Sequence, residues 1–212
     1  MYAVGHLALG YITGKASSRI LKTDIDVPLV FALSILPDID LLIPRLPHRG
    51  PTHSIIATIL IFLPILAIYR RRSIPYLLAT LQHSLLGDFL TGGAQLMWPI
   101  SPDWYGIDIA LRSSTNITME VTAFAASLTL MIVTGDLKGL LKPQRSNLLL
   151  TIPLAAFTVQ LTGIYSIPAE LAIPQTTYLI LFSASILLGI RRFLSTTRHA
   201  RASVEAAGSK AR

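Results

Sequence analysis

Ser54-Ile55-Ile56-Ala57-Thr58-Ile59-Leu60-Ile61-Phe62-Leu63-Pro64-Ile65-Leu66-Ala67-Ile68-Tyr69, closed by Arg70-Arg71-Arg72, is the stretch that decides the fold class. It carries no ionisable group until Tyr69, and a triple arginine stops it. As a helix it rises about 24 Å, near the short end of what crosses roughly 30 Å of hydrocarbon. Similar apolar stretches recur on either side, at about 2–20, 27–43, 74–97, 117–134, 148–166 and 171–190. The expected fold is all-α, a polytopic transmembrane helical bundle of six to seven hydrophobic segments. Residues 1–190 read as one membrane-embedded domain, with a polar half at 1–125 and an apolar scaffold at 126–190. Residues 191–212 read as a basic, disordered cytoplasmic tail.

Composition agrees. Of the 212 residues 52% are hydrophobic and only 14% charged, with a mean hydropathy of +0.59. Soluble domains carry roughly 25% charge, so this chain is too poor in charge to cover a water-facing surface. The net charge of +7 does not imply nucleic acid, because the basic residues cluster at the ends of apolar runs without aromatic interleaving. Alternating the segments from an outer N-terminus puts 15 of the 18 Lys and Arg on the inner side. Only Arg45, Arg49 and Arg112 fall outside, so the positive-inside rule favours a cytoplasmic C-terminus in the cell membrane. Met1–Gly10 has no basic n-region, so no cleavable signal peptide is expected. The aromatic residues Trp98, Trp104 and Tyr105 suit an interfacial loop.

Polar residues concentrate between the second and third segments. Pro37-Asp38-Ile39-Asp40 is followed by His48-Arg49-Gly50-Pro51-Thr52-His53-Ser54. Ionisable groups beside apolar segments are costly and mark a site. Under the topology above, His6, Asp38, Asp40, His48, His53, His83, Asp88 and Glu120 all fall in the outer half of the membrane. With no cysteine in the chain, a metal must be held by imidazole and carboxylate. Zinc suits that donor set best, with manganese or magnesium as alternatives and one or more ions bound. The candidate ligands are His6, Asp38, Asp40, His48, His53, His83 and Asp88. Asp40, Glu120 and Arg49 are the candidate catalytic groups, and Arg45 and Arg49 could pair with an anionic headgroup. Two Asp separated by one residue point the same way only on extended backbone, which a break at Pro37 would allow. Glu120 also has a purely structural reading, as a carboxylate at a helix N-terminus.

These motifs, together with His6-Leu7-Ala8-Leu9-Gly10, Gly87-Asp88-Phe89-Leu90-Thr91 and Trp98-Pro99, resemble the YdjM group of membrane-bound, predicted metal-dependent hydrolases. The resemblance runs through about residues 1–125. It implies metal-site or catalytic roles for His6, Asp38, Asp40, His48, His53, Asp88 and Glu120. One feature departs from the family pattern of His-x-x-x-Asp: His83 and Asp88 are five apart, about 140° around an ideal helix. Either a π-bulge realigns His83 or the site lacks that ligand.

The expected function is metal-assisted hydrolysis of a lipid-linked or amphipathic phosphoester, with membrane lipid as partner and no nucleic acid. In such chemistry the ion polarises the ester and lowers the pKa of a water. Two other classes stand beside it. A metal-ion or proton-coupled transporter needs ionisable residues in the inner halves of the helices, and few are there. A non-catalytic scaffold needs only a closed four-ligand metal site.

Overall fold

The computed structural model describes residues 1–159 and 167–210, with side chains described as far as residue 196. Eight α-helices make the architecture: α1 (Ala3–Leu21), α2 (Val27–Ile35), α3 (Ile55–Tyr69), α4 (Ile74–Gln82), α5 (Ser114–Thr134), α6 (Asp136–Leu140), α7 (Thr151–Val159) and α8 (Ala172–Lys210). No strand occurs among the described residues, only an isolated bridge between Ala94 and Tyr105. Each of the seven apolar stretches is helical in at least its first part. The end of the sixth, 160–166, lies outside the described residues. α8 runs on through 191–210, the stretch read from sequence as a tail, and His199 lies beyond the described side chains.

Helix starts follow local chemistry. Asp26 accepts from Leu29 N, Ser54 from Ala57 N and Ser113 from Asn116 N, each satisfying an otherwise orphaned donor. Ser113 thus supplies the cap of α5, and Asn116 lies inside the helix. Ser73 does not cap α4; its hydroxyl donates back to Arg70 O.

α1 is the hub. It packs against α2, α4 and α5, and Val4, Leu7, Ala8 and Tyr11 are buried on it. Gly10 permits this: a Cβ there would stand 2.1 Å from Ser34 Cβ on α2. The second half of the chain closes on this hub through aromatic rings. Phe31 contacts Tyr178 and Phe182, and Tyr178 contacts Phe124 and Phe157. Asn147 ties the loop before α7 to α8 by donating to the carbonyls of Leu140, Lys142 and Ser185.

Ser114–Thr134 and Ala169–Thr196 are long and apolar enough to cross a membrane. The other apolar segments form shorter or more polar helices, so the count of six to seven crossings rests on the sequence alone. α3, at 15 residues, rises about 22 Å. Its side chains Leu60, Ile61, Leu63 and Ile68 are exposed, as are Val133 on α5 and Ile180 and Leu187 on α8. Apolar outer faces of this extent suit lipid far better than water.

One end of the bundle is basic. Lys15 on α1 pairs with Asp136 on α6 at 2.6 Å, the amide of Asp26 donates to Tyr76 Oη, and Gly189 on α8 packs against Asn147. Arg70–Arg72 immediately precede α4 at that same end. The polar cluster lies at the opposite end.

Candidate metal centre

Four elements deliver the cluster. α2 ends at Ile35, and a 3₁₀ run, Leu36–Leu42, follows with Pro37 in its first turn; proline has no N–H to continue the α-helical ladder. With three residues per turn, Asp38 and Asp40 diverge. The extended backbone considered for this pair is not what forms, and the two carboxylates do different jobs.

Asp38 faces inward to the imidazoles. Its Oδ1 lies 3.4 Å from His53 Nε2 and 3.2 Å from His83 Nε2. Asp88 Oδ2 lies 3.1 Å from His53 Nε2 and 3.4 Å from His83 Nε2. Around a tetrahedral zinc with bonds of 2.0–2.1 Å, donors stand about 3.3–3.4 Å apart. The four His–Asp pairs among these atoms, at 3.1–3.4 Å, come close to that spacing, and His53, His83 and Asp88 form one group able to hold an ion.

The protonation pattern fits a cation as well. His83 Nδ1 donates to the backbone carbonyl of Ser34 at 2.8 Å. In the neutral imidazole the Nε2 lone pair therefore faces two carboxylate oxygens, which repels unless a cation stands between them. His53 Nε2 and Asp88 Oδ2 are buried without a hydrogen-bond partner. Buried polar atoms are seldom left so, and both point into this set.

Asp40 stands behind the donors. Its Oδ2 accepts from Arg49 N and Thr52 Oγ1, both at 3.0 Å, and lies 3.3 Å from His53 Nδ1. Its Oδ1 meets His48 Nδ1 at 3.0 Å. A carboxylate on the far nitrogen of a ligating imidazole fixes its tautomer and raises its basicity. Asp40 thus stands on the far side of His53 from the other donors, although the sequence placed it among both ligands and catalytic residues. Thr52, which the sequence did not single out, joins it. Its position inside the His48–Ser54 motif was the available signal.

A π-turn over His83–Asp88 aligns His83 with Asp88. The wider turn, bonded i to i+5, brings residues five apart onto one face. Deleting Leu86, whose side chain is 44% exposed, should convert this turn to α-helix and keep both groups aligned. Metal content by elemental analysis should then stay within about twofold of wild type.

The remaining candidates surround this set. His6 stacks on His83 with ring centroids 3.6 Å apart, and its Nε2 lies 3.6 Å from Asp88 Oδ1. It shares ion-binding distance with Asp38 and His83, and His48 does so with Asp38 and His53. Arg49 places a guanidinium nitrogen 3.1 Å from Asp88 Oδ1 and another on the carbonyl of Thr91. Arg49 therefore neutralises and orients a donor carboxylate. Glu120 is elsewhere: it accepts from Tyr2 N, Gly5 N and Asn116 Nδ2 at 2.8, 3.1 and 2.9 Å. It caps α1 from α5 and does not reach the donor set. Arg45 has positive φ in the exposed connection, outside the donor set.

An all-helical chain with apolar outer faces and a buried His/Asp cluster able to hold a metal ion defines the class: a membrane protein with a candidate metal centre. The chain belongs to the YdjM inner membrane protein family, whose model matches residues 1–169. That match extends beyond the motifs of residues 1–125 into the scaffold half. No curated protein and no solved structure matches the chain.

Proposed function

We propose that the protein is a metal-dependent hydrolase acting on a lipid-linked or amphipathic phosphoester. The observation that carries this reading is the set of Asp38 Oδ1, His53 Nε2, His83 Nε2 and Asp88 Oδ2 at 3.1–3.4 Å from one another across its four His–Asp pairs. A divalent ion held there, zinc first among the choices, supplies Lewis acidity and a more acidic water. The chain's own groups do the rest. Asp40 and Ser34 hold His53 and His83 with their Nε2 atoms inward, and Arg49 fixes Asp88. His48, 29% exposed at its side chain, pairs with Asp40 and is the imidazole placed to move a proton between the site and water.

The test is turnover of a soluble phosphodiester, bis(p-nitrophenyl) phosphate, by purified protein with measured metal content. The reading expects hydrolysis that follows occupancy, stops with chelator and is absent in His53→Ala. Full occupancy without turnover of this or any lipid phosphoester would favour a structural metal. The observation behind that second reading is that four donors, three of them at most 2% exposed, suffice to close a zinc site.

On this reading the centre faces the extracytoplasmic side, and the basic residues at the opposite end of the bundle support it. A membrane-impermeant thiol reagent should label Arg112→Cys in intact cells. Labelling only after permeabilisation would reverse the orientation.

A further inference from the structure

The four donors are not equally enclosed. The side chains of His53 and His83 are 0% exposed and Asp88 2%, whereas Asp38 is 15% exposed. The space beside Asp38 is a groove of about 460 Å³ between the 3₁₀ run and α7, within the range of small-ligand sites. Ile35, Leu36, Ile39, Leu42, Ile152 and Ala155 are among its lining residues, and Asp38 is the only ionisable one among the described residues. Leu36, Ile39, Leu42 and Ile152 are all more than a third exposed, so the groove is open on a face that suits lipid.

We propose that this groove holds the alkyl chain of the substrate. The substrate is then a long-chain amphiphile with an anionic phosphate-type head, reaching the centre past Asp38 from within the bilayer. The proposal rests on the metal reading above and adds where the chain lies and from which side it comes. The chemistry is complementary along the groove: apolar walls for the chain, and a cation site at the end where the head arrives. Bulk lipid would wet the same walls but has no reason to depend on the ion. An anionic head does depend on it, because without a cation the Asp38 carboxylate repels it.

The first test uses wild-type protein in nanodiscs and dodecylphosphonate carrying a diazirine midway along its chain. Photolysis with cobalt bound should label Leu36–Leu42 and α7, and chelation should remove most of that labelling. Labelling spread over the outer faces of α3, α5 and α8, or groove labelling indifferent to cobalt, overturns the proposal.

The second test uses the visible spectrum of bound cobalt. Ala155→Trp and Thr151→Trp, both on exposed positions of α7, put bulk into the groove at positions that supply no donor. Each should weaken the response to dodecylphosphonate about tenfold, the size of an overpacking clash, and leave the response to ethylphosphonate unchanged. Equal responses to the long chain in variant and wild type overturn the proposal. Failure of wild-type protein to take up cobalt, read by elemental analysis, removes the metal reading and this inference with it. Normal cobalt uptake with cobalt-independent labelling, or with equal long-chain responses in variant and wild type, removes only the inference.

Discussion

His53→Ala should retain the fold and lose zinc affinity by about 150-fold. Four-ligand zinc sites are worth about 10–16 kcal/mol, so one ligand's share is about 3 kcal/mol. His53 is the ligand to remove, because its Nε2 faces both Asp38 and Asp88 while Asp40 fixes its other nitrogen. Competition with a chelator of known affinity measures the loss. Asp40→Asn should cost less, about 10–100-fold, since it disturbs only the orientation of a ligand. Glu120→Gln should leave metal affinity unchanged, because Glu120 bonds to the start of α1 and to Asn116. Equal losses in all three would signal general unfolding. The same centre should appear in stability: an ion at a hundred times its Kd adds about 2.7 kcal/mol, so chelation should lower Tm in wild type and barely move it in His53→Ala.

Gly87→Ala should be the most damaging single-methyl change near the centre. The added Cβ would stand 2.2 Å from His6 Cε1 and 2.5 Å from His6 Nδ1. His6 cannot retreat, being 1% exposed and stacked on His83. The clash must move the His6 ring or unwind the π-turn, and either displaces His83. Overpacking of this kind costs about 3 kcal/mol, and metal affinity should fall with it. Gly139→Ala is the control: nothing lies within 4 Å of its Cβ position, and alanine favours helix by about 1 kcal/mol. Thermal unfolding with chelator competition reads both. A Gly87→Ala protein with normal stability and metal affinity would mean that His6 is not packed against the π-turn.

The helical class was legible in sequence because it is local. Runs such as Ser54–Tyr69 bury no charge, and caps such as Asp26 and Ser54 act within three residues of themselves. The family motifs likewise marked six of the seven metal candidates without structure, and the seventh, His83, was marked with its spacing unresolved. Division of labour among them was not legible. Asp38 and Asp40 are identical in type and two residues apart, and only the 3₁₀ backbone turns one to the donors and the other to the back of His53. His83 differs from a helix-buried imidazole only through the π-turn that aligns it with Asp88.

Glu120 shows the same limit from the other side. In sequence it belongs to the first turns of α5, yet its carboxylate caps the N-terminus of α1, more than a hundred residues away in the chain. Ser34 contributes only a carbonyl oxygen to His83, and a backbone atom leaves no mark in composition or motif. The sequence by itself determined that the chain is helical and apolar and that His and Asp gather in its first half. Those properties follow from side-chain chemistry and short-range backbone bonding. Only the tertiary structure decided which oxygen faces which nitrogen, because those distances are set by how α1, α2, α4 and the 3₁₀ turns pack, over separations from 8 to 45 residues.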